Sequence, residues 1–209
     1  MADSRSAIRV GEAFDALVAF TDIARFDWFA RSHEPHEVAA FIRAYAEIHD
    51  RILAPSAGCV IKYLGDASLI VFPGEQADAA VGTLLELHQT IERELSSDDF
   101  AVNVHCGAHY GELFGVQLPP LETPDVLGAA VNIAATVERR ARGKVVISSE
   151  AFRKLDQMVQ LCVQSKAISI QPEAPSDGEA YIIPASATGE NWSGYAVNTI
   201  ATFQDGAWA

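Results

Sequence analysis

Leu17-Val18-Ala19-Phe20-Thr21-Asp22 is a short apolar run that ends in a polar turn, the pattern of a buried strand delivering Asp22 at its C-terminal end. Working outward, Gly58 to Lys62 and Ser68 to Phe72 are β-rich runs separated by Leu64-Gly65-Asp66-Ala67, which predicts a hairpin with an aspartate at its tip. Between these strands, Val38, Phe41, Ile42, Tyr45, Ile48, His49 and Ile52 recur at helical spacing over Glu34 to Leu53, with Pro35 at the start and Pro55 beyond the end. Ala77 to Leu95 reads as a second amphipathic helix and Phe100 to Tyr110 as a strand. Gly111 to Pro124, with three prolines, reads as an irregular arm. A third helix is expected over Val126 to Arg142, a strand over Lys144 to Ile147 and a short helix over Ser149 to Leu155. The order β-α-β-β-α-β followed by further helix and strand predicts an α+β fold, a ferredoxin-like split βαβ sandwich.

Composition narrows the function. The chain has 209 residues, of which 49% are hydrophobic, enough for one domain with a sizeable core. With 28 acidic and 15 basic residues its net charge is −13, so phosphate backbones and anionic lipid surfaces would repel it. Neither nucleic acid nor membrane is therefore expected as a partner, whereas a single nucleotide needs only a local basic pocket or a metal. Cys59, Cys106 and Cys162 sit in apolar runs without metal-ligand spacing. No run approaches a membrane span and residues 1–11 carry charges, which points to a cytoplasmic protein. Beyond Gln171 the composition shifts to Pro, Ser, Gly and Ala, predicting a main domain over residues 1–171 and an extension over 172–209. Within that extension only Ala180 to Ile183 reads as a strand, and the last two dozen residues read as a tail.

Asp22 and Asp66 would meet at one sheet edge if their strands are neighbours. Paired carboxylates at a strand end suit Mg²⁺ or Mn²⁺ held against phosphates. His105 and His109 share one strand face, but no third ligand is evident in the sequence and they read as core or interface histidines.

Four segments, in order, resemble class III adenylyl and guanylyl cyclases. Phe20-Thr21-Asp22-Ile23-Ala24-Arg25-Phe26 resembles their F-x-D-I-x-G-F motif, and Val60-Ile61-Lys62-Tyr63-Leu64-Gly65-Asp66 their V-x-K-x-x-G-D hairpin. His105 to Glu112 resembles the G-I-x-x-G strand leading into a dimerisation arm. Asp125-Val126-Leu127-Gly128, followed by Val131-Asn132-Ile133-Ala134-Ala135, resembles D-x-x-G-x-x-V-N-x-A.

The resemblance implies a homodimer with shared sites that closes a nucleoside triphosphate into a 3′,5′-cyclic nucleotide. It makes Asp22, Asp66 and the Ile23 carbonyl ligands of two divalent cations, Mg²⁺ or Mn²⁺. Backbone N–H groups from Ile23 to Phe26 would cradle phosphate, and Lys144 would bind the triphosphate. Lys62 and Asp125 would read the base, a donor and an acceptor that suit adenine. Asn132 would orient the ribose. Two departures stand out: Arg25 replaces the motif glycine, and Thr136 stands where these enzymes carry a transition-state arginine. Arg139 or Arg140 would substitute, and Arg140 is taken with Asn132 as catalytic. ATP is the favoured substrate. Thr136 and Leu127 leave open a pyrimidine cyclase like those of bacterial anti-phage systems, making cyclic UMP or cyclic CMP for a separate receptor protein. A catalytically weak nucleotide-binding dimerisation module is the third reading.

Overall fold

A computed structural model of the chain describes residues 8–120, 123–155, 180–182, 200–204 and 207–208. The chain divides into two compact units, Met1–Lys154 and Leu155–Ala209. The domain boundary expected between residues 171 and 172 lies outside the described residues.

The first unit begins with β1 (Ala13–Ile23), α1 (Phe26–Ser32) and α2 (Pro35–Leu53), then the hairpin β2 (Cys59–Leu64) and β3 (Ala67–Pro73). A 3₁₀ turn leads into α3 (Ala77–Leu95), followed by β4 (Val104–Val116), β5 (Asp125–Leu127), α4 (Ala129–Glu138), β6 (Val145–Ile147) and α5 (Ser149–Phe152). The strands lie in the order β2-β3-β1-β4-β5, with β6 paired parallel to the first half of β4. The first four strands are antiparallel and take the places of a split βαβ unit, as the sequence pattern predicts.

β1 is central because it can be buried on both faces: Ala16, Leu17, Val18 and Ala19 are all fully buried. Even-numbered residues Ala16 and Val18 pack with Leu69, Val71, Leu113, and Ala130 and Ala134 of α4. Odd-numbered Thr21 faces the other way and bonds to Tyr45 of α2. α2 starts where Pro35 can sit at the first helical position, and Glu37 Oε2 accepts from the Glu34 N–H at 2.8 Å.

Several boundaries depart from the sequence reading. β4 continues through Gly111 to Val116, where an irregular arm is expected, because Leu113 alternates inward and Phe114 outward along it. Asp125–Leu127 is a strand on β4 rather than the start of a helix, and α4 ends at Glu138, four residues short of Arg142. In the second unit, β7 (Ala180–Ile182), β8 (Ile200–Gln204) and β9 (Ala207–Trp208) form a three-stranded sheet in that order. Two of these strands fall in the stretch read as a tail, where Ile200, Thr202 and Phe203 carry the β-branched and aromatic character of a strand. No helix among the described residues is long and apolar enough to cross a membrane.

Candidate active site

The site starts from the strand pairing that brings Asp22 and Asp66 together. β1 runs antiparallel to β3 with Thr21 opposite Ser68, so Asp22 and the Gly65-Asp66 turn lie at the same end of the sheet. Gly65 takes a φ of +70°, which the two-residue hairpin connection needs at its first position. Beneath the carboxylates a buried hydrogen-bond chain locks the two strands to α2. His49 Nδ1 donates to the Tyr45 carbonyl at 2.8 Å, leaving Nε2 to accept from the Ser68 hydroxyl at 3.0 Å. Ser68 Oγ accepts from Thr21 at 2.7 Å, and Thr21 Oγ1 accepts from the Tyr45 phenol at 2.6 Å. Every member is satisfied in one direction round the chain, which is what makes a buried polar network favourable. Burial holds His49 neutral, lowering its pKa to about 4.

The two aspartates face one another closely enough to share a hydrogen bond, Asp66 donating and Asp22 accepting. Burial raises both carboxyls. Asp66 reaches about 6, with the Asp22 charge adding to the effect, although its carboxylate also accepts from the Ile23 N–H. For Asp22, the nearby His105 and the hydrogen bond from Asp66 pull the other way. Two half-buried carboxyls whose charges oppose each other fit a hard divalent cation, which would supply the compensating positive charge.

A third carboxylate, which the sequence did not single out, lies beside them. Burial and then the Asp22 charge push Glu138 up to about 7, with Arg139 acting in the opposite sense. Its carboxylate lies 3.8 Å from His105 Nδ1, and Asp22, His105 and Glu138 each offer an atom within 4.8 Å of the others. His109 goes elsewhere: Nδ1 lies 2.8 Å from Ser148 Oγ, the residue that caps α5.

Lys62 and Asp125 start on the opposite edge strands of the sheet, β2 and β5. They nevertheless meet, Lys62 Nζ lying 2.6 Å from Asp125 Oδ2. A bulge between Val60 and Lys62 interrupts the β2 register next to the lysine, a device that re-aims side chains near sites.

At the end of β1 the chain turns through Arg25 with φ +64°. That is the motif's glycine position, so the backbone keeps the left-handed conformation for which glycine is suited and imposes it on an arginine. The guanidinium lies over the Trp28 ring at 5.6 Å. The phosphate cradle narrows from what the sequence suggested: the Ile23 N–H is engaged with Asp66, and the Ala24 N–H donates to the Asn103 carbonyl at 2.9 Å. Arg25 and Phe26 remain. The Phe26 ring itself stacks with Phe29, its centroid 5.8 Å away.

On α4, Asn132 and Thr136 are exposed on one face, Thr136 donating to the Asn132 carbonyl at 2.8 Å. Arg139 Nη2 reaches Thr136 Oγ1 at 3.3 Å. Arg140 instead sits in the turn beyond the helix, its N–H on the Val137 carbonyl. The cation next to Thr136 is therefore Arg139. Lys144 is exposed; its carbonyl accepts from Cys106 N–H at 3.0 Å, level with the Asp22 end of the sheet.

Similarity to known proteins follows the same outline. A guanylyl cyclase structure, Cya2, superposes with a TM-score of 0.64 at 18% identity, over 81% of this chain and 90% of that one. The fold is that of a class III nucleotidyl cyclase domain. The guanylate cyclase domain of RhGC from Catenaria anguillulae, solved with GTP, gives 0.64 at 20% identity over 69% of this chain and 84% of that one. In sequence, the cyclase-like chain is 23% identical to an adenylate cyclase of Anabaena cylindrica over 177 residues, 73% of this chain and 35% of that protein. It thus spans about a third of the length of the curated relatives it matches. Residues 148–209 match a separate family model described as a protein of unknown function, DUF2793.

Proposed function

We propose that the chain is a nucleotidyl cyclase that converts a nucleoside triphosphate, with ATP favoured, into a 3′,5′-cyclic nucleotide and pyrophosphate. The observation that carries this reading is the pair Asp22 and Asp66, brought to one end of the sheet by the β1–β3 register. Asp22, Asp66 and the Ile23 carbonyl would hold two Mg²⁺ or Mn²⁺ ions, which supply activation of the 3′-hydroxyl and neutralisation of the leaving pyrophosphate. The Arg25 and Phe26 N–H groups orient phosphate oxygens. Lys62 donates to adenine N1 and Asp125 accepts from the N6 amino group; their mutual 2.6 Å contact keeps both aimed before the base arrives. Asn132 orients the ribose. Arg139, held beside Thr136, carries positive charge on the face where the reacting phosphate would lie.

A homodimer completes the site, Asp22 and Asp66 coming from one subunit and Lys62, Asp125 and Asn132 from the other. Leu64, Phe114, Leu127 and Ile133 support it, since each leaves more than 40% of a large apolar side chain exposed around these residues. The test is to incubate the protein with Mn²⁺ and ATP, GTP, CTP or UTP separately and identify cyclic products by mass. Cyclic AMP as the main product is expected. A cyclic pyrimidine nucleotide would overturn the base assignment, and no cyclic product from any of the four would overturn the cyclase reading.

A further inference from the structure

We propose that Asp22, His105 and Glu138 form a binding site for a transition-metal cation, Zn²⁺ in particular, that shares Asp22 with the aspartate pair. Asp22 and His105 are direct cross-strand partners on β1 and β4, so their side chains leave the sheet on the same face a few ångströms apart. Glu138 is the last residue of α4, and Gly107 of β4 is what lets it come so close. A Cβ at position 107 would lie 2.0 Å from the Glu138 nitrogen and 2.3 Å from its Cα. Residues 105 and 107 point to the same side of the strand, so the helix end that rests on Gly107 is fixed directly beside His105. All three ligands therefore stand on strands or on a helix end pinned to a strand, the kind of support that precise coordination needs.

The chemistry of the donor set differs from that of the aspartate pair. One imidazole and two carboxylates suit Zn²⁺ or another first-row transition metal, whereas oxygen-only ligands suit Mg²⁺. The three donor atoms lie within 4.8 Å of one another, and His105 Nδ1 is 3.8 Å from Glu138 Oε1. The histidine–glutamate gap is too long for a hydrogen bond. Around a tetrahedral zinc, neighbouring ligand atoms sit about 3.4 Å apart, so closure asks only for small side-chain rotations. Arg139, whose charge lowers the Glu138 pKa, directs its guanidinium to Thr136.

Occupation of this site draws Asp22 away from Asp66. Zn²⁺ should then inhibit cyclisation supported by Mg²⁺ or Mn²⁺. That consequence rests on the cyclase reading; the binding itself does not.

The test uses the full chain stripped of metal, titrated with Co²⁺ and followed by visible absorption and by paramagnetically shifted imidazole proton resonances, with Zn²⁺ as competitor. The wild type should bind one equivalent with a shifted imidazole signal that Zn²⁺ displaces. His105→Gln should abolish that signal, and both His105→Gln and Glu138→Gln should weaken Zn²⁺ binding by about tenfold or more. Asp66→Asn should keep the imidazole signal. Thermal unfolding of the metal-free variants checks folding, and Glu138→Gln carries the comparison if His105→Gln fails to fold. Unchanged Zn²⁺ affinity in the folded variants overturns the proposal, as does Co²⁺ binding that Asp66→Asn removes and His105→Gln does not. No Co²⁺ binding at all would likewise overturn it. Absence of cyclisation by the zinc-free protein with Mn²⁺, with Zn²⁺ binding intact, would instead strike only the cyclase reading.

Discussion

Acidification should weaken the first unit through His49, and the size of the effect follows from its burial. The imidazole is neutral at the centre of the Tyr45–Thr21–Ser68 chain, and burial lowers its pKa from 6.5 to about 4. The unfolded chain therefore binds a proton between these values that the folded chain refuses. Stability contributed by this group is present above about pH 6.5 and is lost as pH falls toward 4, a loss of about 3 kcal/mol. Two other groups oppose it: Asp66 and Glu138, raised to about 6 and about 7, disfavour the folded state at neutral pH, and acidification relieves that. The raw pH profile is thus a sum of opposing contributions, and the comparison must be with a variant that keeps the carboxyls. His49→Gln does so, and its amide retains a donor and an acceptor for the network. Urea unfolding in EDTA, followed by circular dichroism in steps from pH 7 to pH 4, gives the stability gap between wild type and variant. The gap should close by about 3 kcal/mol on acidification. A gap that stays constant, or widens, would mean that His49 is not held neutral by its surroundings.

Two further outcomes concern the site. Asp22→Asn and Asp66→Asn should each abolish cyclisation without lowering metal-free thermal stability, because each relieves a crowded carboxyl pair; residual turnover above a few per cent at saturating Mn²⁺ would count against the assignment. Mixing Asp66→Ala with Asn132→Ala chains should restore part of the activity through one intact heterodimer site, and no recovery after verified subunit exchange would remove the shared-site model. Arg25→Gly should raise stability by about 0.5–1 kcal/mol in urea unfolding, since glycine accepts φ +64° without the Cβ clash. An unchanged or lower midpoint would show that the Trp28 contact outweighs the backbone strain.

The sandwich was legible because its strands and helices are strongly patterned: Leu17 to Phe20, the Gly65-Asp66 turn and the α2 periodicity each admit one reading. Glycine misled where its role is close approach rather than a turn. Gly115 lies in β4 and must be glycine, because a Cβ there would meet the Arg9 carbonyl at 2.3 Å, yet in sequence it looks like a breaker in an arm. Val126-Leu127 continued the apolar spacing of α4 and so merged with it, though their partner is β4. The Lys62–Asp125 contact came only from the resemblance, since nothing local links residues on opposite sheet edges. Glu138 was missed altogether. The signal that would have found it is the cross-strand register: once Asp22 is known to face His105, Gly107 marks where a helix must touch β4.

The period of two along β1 explains why the structural and chemical tests are separable. Thr21 points toward α2 and is fully committed to the buried network, while Asp22, the next residue, points toward α4 and meets Asp66, His105 and Glu138. A perturbation of His49 acts on the first face and shifts the strands that carry both aspartates, so it should change stability and positioning together. Removal of a carboxyl on the second face leaves the Thr21 network untouched. If His49→Gln lowers turnover, the loss should therefore track its loss of stability or be rescued by high Mn²⁺, which pulls the carboxylates together. A turnover defect that neither explains would place His49 in the chemistry itself, which a side chain on the opposite face of the sheet should not reach.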